Sequence, residues 1–136
     1  MSVEINEIAV LVGALLAIAV GSMWYSPLLF GPLWMRSRGK SFREEDDSKY
    51  AMLVVAIKGI LVQVVSFFII TYFISMSTEL GVSLLKIGLL LTAFLGVQMM
   101  SLIVWEGRPL SYVFVHLGYS TIVLFGGIGI IAYWPW

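Results

Sequence analysis

Cysteine is missing from the chain altogether, histidine occurs once, and charged residues make up only 12% of the 136 positions. Without a thiol there is no disulfide frame, no thiolate zinc site, no iron–sulfur ligation and no cysteine nucleophile, so the redox compartment stays unread. A lone imidazole does not build a zinc or copper centre, which draws three or four nitrogen or sulfur donors, and it has no second histidine to share a haem. Neither a metal nor another cofactor is expected. The GxSxG, phosphate-loop and HExxH patterns are all missing, and no catalysis is expected. Eight Lys plus Arg balance eight Asp plus Glu, so no field of one sign draws nucleic acid.

What the chain does have is apolar length. Hydrophobic residues make up 60% of it, and the mean hydropathy is +1.00, well beyond the usage of soluble domains. Four runs, Ile8 to Tyr25, Ala51 to Ser75, Gly81 to Trp105 and Leu110 to Trp134, fall in the range of about 17 to 25 residues that a helix needs to cross hydrocarbon. They lack the short alternating blocks of a membrane barrel, and an open sheet edge does not survive in lipid. The expectation is an all-α membrane protein with one domain over residues 1–136, its four transmembrane helices in an antiparallel up-and-down bundle joined by short turns. Glu4 and Glu7 stand where a secretory leader would be basic, and the first run ends on bulky Trp24 and Tyr25, so it reads as retained.

Orientation follows from the basic residues. Arg36, Arg38, Lys40, Arg43 and Lys49 lie in or beside the long connection 26–50, and Arg108 lies in the turn after the third run. All fall on one side, which the positive-inside rule assigns to the cytoplasm, leaving both termini outside in the cell membrane of a prokaryote. Trp24, Trp34, Trp105, Trp134 and Trp136 sit at span ends or just past them, as an interfacial aromatic belt requires. Within the long connection, Pro27 is expected to end the first helix and Gly31-Pro32 to break the chain again, leaving Leu28 to Met35 in the interface. Ser41 and Glu44 read as a capping box, with Glu45, Asp46 and Asp47 in the first turn, so the second helix is expected to start near Phe42.

Two kinds of residue stand out inside the runs. Ala9, Gly13, Ala17 and Gly21 recur every four residues, as do Gly88, Thr92 and Gly96. Such stripes let helix backbones approach in lipid, either within this bundle or as a seam for another chain. Gly118, Gly126, Gly127 and Gly129 in the fourth run are more small residues than one neighbour uses, which points to an oligomer or a larger complex. The other kind is polar. Lys58, Gln98 and His116 are each about 10 Å in from the loop side at helical rise, with Gln63 a turn deeper, Ser120 a turn beyond His116, and Glu106 and Arg108 at the mouth. Intramembrane ionisable groups are ligand or relay candidates. The alternative is structural: Lys58 snorkels, the Gln side chains bond across helices, a carbonyl satisfies His116, and Glu106 with Arg108 brackets the turn and meets lipid head groups.

Two motifs resemble a known family. Trp24-Tyr25-Ser26-Pro27-Leu28-Leu29-Phe30-Gly31, followed by Trp34, and then Glu106-Gly107-Arg108-Pro109-Leu110 with Gly118-Tyr119, are similar to the domain-of-unknown-function family numbered seventeen sixty-one, short four-helix membrane proteins of prokaryotes. The resemblance covers essentially the whole chain and implies a fold and a topology, with no activity to carry over. Members often carry Asn at the place of His116 and His at that of Ser120, which implies a polar contact kept in position while its chemistry moves. Two functions are therefore expected to compete. One is an accessory, assembly or structural subunit embedded in the lipid bilayer, packed on other membrane subunits or on itself. The other is a small oligomeric transporter or channel for a proton, cation or small metabolite that uses the polar layer.

Overall fold

The computed structural model describes residues 5–38 and 49–135. It places there α1 (Glu7–Trp24), α2 (Gly31–Ser37), α3 (Lys49–Leu80), α4 (Leu84–Glu106) and α5 (Leu110–Ala132). Stretches of four of them, Glu7–Trp24, Ala56–Leu80, Leu84–Glu106 and Leu110–Ala132, are long and apolar enough to cross a membrane. They overlap the four apolar runs, with the second displaced toward the C-terminus, at Ala56–Leu80 where 51–75 was expected. The capping box at Ser41 and Glu44, the acidic turn Glu45 to Asp47 and the helix start at Phe42 lie outside the described residues.

The ends of the helices have local causes. The Asn6 side chain accepts a hydrogen bond from the Ala9 N–H at 3.0 Å, which satisfies one of the orphan donors of α1. Gly31-Pro32, expected as a break, is also a beginning: α2 opens there with proline in its first turn, where its missing N–H is one the helix would leave unpaired anyway. The expected turn from Met76 to Leu80 is helical instead. The Thr78 hydroxyl bonds back to the Ile74 carbonyl at 3.0 Å, and the chain turns only at Gly81, whose φ of 64° suits a residue without Cβ.

Packing centres on α5, which lies against α1, α3, α4 and the short α2, while α1 and α3 also pack broadly on each other. α4 rests on α5 and meets α3 only sparsely. The short turn after α3 therefore joins two helices without pairing them along their lengths, unlike the turn between α4 and α5. Val10, Ala17, Phe67, Ile70 and Ile131 form the buried cluster. Phe67 is its wedge, 2% exposed, with its ring against Gly13 of α1 and Gly127 of α5. Both small-residue stripes are occupied from within the chain. A Cβ at Gly13 would overlap the Phe67 ring, one at Gly21 would lie 3.0 Å from the Tyr119 hydroxyl, one at Gly88 2.8 Å from Phe125, and one at Gly96 3.3 Å from Leu117. Small residues at these positions let the helix backbones approach closely.

Candidate functional site

The segment after α1 folds into a tight knot that brings aromatic side chains onto α5. The Leu29 and Gly31 N–H groups donate to the Ser26 carbonyl at 3.2 and 3.0 Å, and the Phe30 N–H donates to the Trp24 carbonyl at 3.0 Å. A Cβ on Gly31 would stand 2.5 Å from the carbonyl oxygens of Tyr25 and Ser26, so only glycine lets the backbone double back this closely. The Trp24 and Phe30 rings meet at 4.3 Å between centroids. The Trp24 indole N–H reaches across to the Val115 carbonyl at 3.0 Å. α2 then delivers Trp34 to the same face of α5.

That face carries His116. The Trp34 indole N–H lies 3.2 Å from Nε2 of His116, and the Tyr25 hydroxyl lies 2.9 Å from Nδ1. An indole N–H can only donate, so Nε2 must accept, and the ring proton of a neutral imidazole then sits on Nδ1. Nδ1 donates to the Tyr25 oxygen, which leaves the Tyr25 hydroxyl proton for another acceptor. Tyr112, one turn before His116, packs its ring 4.5 Å from the imidazole, and Tyr25 meets Tyr119 edge-on at 5.4 Å. A turn further on, the Tyr119 hydroxyl donates to the Ala17 carbonyl at 3.0 Å and accepts from Gln63 Nε2 at 3.0 Å. Three long helices are thereby tied by one phenol.

Two guanidinium groups cap the cluster. Arg38 stands 4.6 Å over the Trp34 ring, and Arg108 stands 5.3 Å over Tyr112; both contacts are of the cation–π kind. Arg108 Nε also pairs with Glu106 at 3.2 Å. Gly107 between them, at φ 64°, turns the chain so that the two side chains meet.

Of the residues singled out in the sequence, His116 and Gln63 are half-buried partners in this cluster, and Ser120 is half-buried one turn beyond. Lys58 and Gln98 are exposed, and among the described residues neither hydrogen-bonds to His116. Of the residues read as an interfacial motif, Tyr25 and Trp34 contact His116 itself, Trp24 and Phe30 pack beside it on Val115 and Phe114, and Pro27 is exposed at the knot. Ala9 and Ala17 are buried at 1% and 4% exposure, while the Thr92 hydroxyl is buried with no hydrogen-bond partner among the described residues. Sequence reading missed the link between the two motifs. The signal was there in the donors, because a half-buried tryptophan needs an acceptor for its N–H.

A family model described as a protein of unknown function, DUF1761, matches residues 8–132. No curated protein and no solved structure matches the chain.

Proposed function

We propose that this chain, which belongs to the DUF1761 family through residues 8–132, is an accessory or structural subunit of a larger membrane assembly and catalyses nothing itself. In this reading the four long helices span the cell membrane of a prokaryote, with both termini outside and the basic connection in the cytoplasm. The observation that carries it is α4, in which Gly88 is the one buried residue of 23. Leu89, Leu90, Phe94, Val97 and Val104 are exposed along it at 55–75%. On α3, Val65, Phe68, Ile69, Tyr72, Phe73 and Met76 line an open apolar groove of about 380 Å³. The polar side chains of the cluster, meanwhile, are largely used on one another. The transport reading draws less support, because Lys58 and Gln98, two of its three layer residues, are exposed.

Phe67, Tyr119, Phe125 and Leu117 lie against Gly13, Gly21, Gly88 and Gly96, which supports packing within the chain as the use of the stripes. The outward faces of α3 and α4 take the role of seam. The cysteine-free sequence makes the test clean: single cysteines at Phe68, Tyr72, Phe94 and Val97, cross-linked in native membranes. Adducts to a larger membrane protein from these positions, and none from Leu28 or Met23 as exposed controls, are expected. Equal, sparse labelling from every position would contradict the proposal.

A further inference from the structure

Two indole N–H groups reach α5 from the segment around the knot, and they differ in what receives them. Trp24 donates to the Val115 carbonyl at 3.0 Å, a backbone acceptor that takes up no proton. Trp34 donates to Nε2 of His116 at 3.2 Å. That nitrogen is the one on the neutral ring able to take a proton, since Nδ1 already holds its hydrogen against the Tyr25 oxygen at 2.9 Å. Protonation at Nε2 sets an N–H against an N–H, and the indole has no acceptor with which to answer. The two rings meet with their planes at 79°, so the positive rim of the indole faces the new cation. Facing the imidazole are the Tyr25 phenol from the knot, the Arg38 guanidinium at the end of α2, whose charge reaches the ring, and Tyr112 on α5 itself. Arg108 and its partner Glu106 stand behind Tyr112 from the turn after α4. α3 brings the uncharged Gln63, bonded to Tyr119, while Lys58 is exposed and Glu44 to Asp47 lie outside the described residues. Such charges move the pH at which the ring takes a proton. They do not change which hydrogen bond that proton breaks.

We propose that His116 and Trp34 form a proton-operated latch: a proton taken up at Nε2 expels the Trp34 indole and loosens α2 from α5. The knot stays seated, because Trp24 keeps its carbonyl and the Nδ1 hydrogen keeps the Tyr25 oxygen. His116 is half-buried and lies less than two turns into α5, within reach of protons from the loop end. Since the released state accommodates the second proton and the latched state does not, acid favours release and a rise in pH closes the latch again.

The test uses the full chain in detergent micelles. Its lack of cysteine allows spin labels on Leu33→Cys and Ile122→Cys, exposed at 39% and 43%. The distance from α2 to α5 is then read by double electron–electron resonance between about pH 8 and about pH 4, which brackets imidazole titration. Because histidine occurs once, isotope-labelled histidine gives nuclear magnetic resonance signals of His116 alone and reports its protonation on the same samples. The chain with its native His116 and Trp34 is expected to gain a longer-distance population where the Nε2 signal reports protonation, its ratio to the short one rising by up to about tenfold per pH unit. A Leu28→Cys/Ile122→Cys pair, with one label on the knot, is expected to keep its distance. In the same labelled background His116→Gln, which offers Trp34 an acceptor that takes no proton, and Trp34→Phe, which keeps a ring and drops the donor, are both expected to be flat with pH. A distance that stays fixed while the imidazole protonates, an imidazole still neutral at about pH 4, or the same transition in either variant would overturn the latch. Equal movement of the Leu28 pair would overturn it too, because the bundle would then be opening as a whole.

Discussion

An indole N–H has no way to accept a hydrogen bond, and that chemical fact organises the residues around His116. Trp34 donates to Nε2 at 3.2 Å, Tyr25 takes Nδ1 at 2.9 Å, and both ring nitrogens are spent on the segment that follows α1. The imidazole works here as a clasp between that segment and α5. His116→Leu removes the acceptor and strands the Trp34 N–H in a half-buried site, an expected loss of about 1–3 kcal/mol. His116→Gln retains both an acceptor and a donor and is expected to recover part of it. Titration of the detergent-solubilised protein with sodium dodecyl sulfate, followed by tryptophan fluorescence, measures both. Equal stability of His116→Leu and wild type would mean that the clasp holds nothing. Helical spacing alone puts Tyr112, His116 and Tyr119 on one side of the fourth run. The partner was hidden, because Trp34 is 82 positions away and a belt tryptophan looks the same whether its N–H meets water or a histidine.

Among the elements, small residues decide which helices touch. Gly13 and Gly127 make the slot for Phe67, whereas Gly126 and Gly129 have nothing within 4 Å of an added Cβ. Gly13→Ala therefore drives a methyl group into an aromatic ring and is expected to cost about 1–3 kcal/mol. Gly126→Ala and Gly129→Ala meet open space and are expected to be neutral or to stabilise by up to about 1 kcal/mol through helix propensity. The same detergent titration separates the two groups, and destabilisation by all three alike would contradict the packing described. Helix positions were readable because apolar length is a direct signal. Helix neighbours were not: a stripe such as Gly88, Thr92 and Gly96 says that something comes close, and only the structure says that Phe125 and Leu117 do. The extension of α3 through Ser77 and Thr78 was also hidden, since a hydroxyl that bonds back to its own helix resembles a turn former in sequence.

At the scale of the molecule, the polar side chains around His116 and Tyr119 are paired with one another inside the bundle, while α3 and α4 turn apolar faces outward. α5 holds α1, α3 and α4, yet α4 contributes only Gly88 to the buried residues. That asymmetry, with side chains such as His116, Gln63 and Tyr119 tied to one another, is the ground for reading the chain as a component of an assembly. The most direct measurement is native mass spectrometry of the tagged protein taken from its own host in a mild detergent, reporting stoichiometry and co-purifying chains together. The account predicts a fixed ratio to a larger membrane protein, lost when Phe94 and Val97 on α4 are replaced by bulkier tryptophan. A homogeneous homo-oligomer that conducts ions or metabolites in liposomes, and stops conducting in His116→Leu, would contradict it.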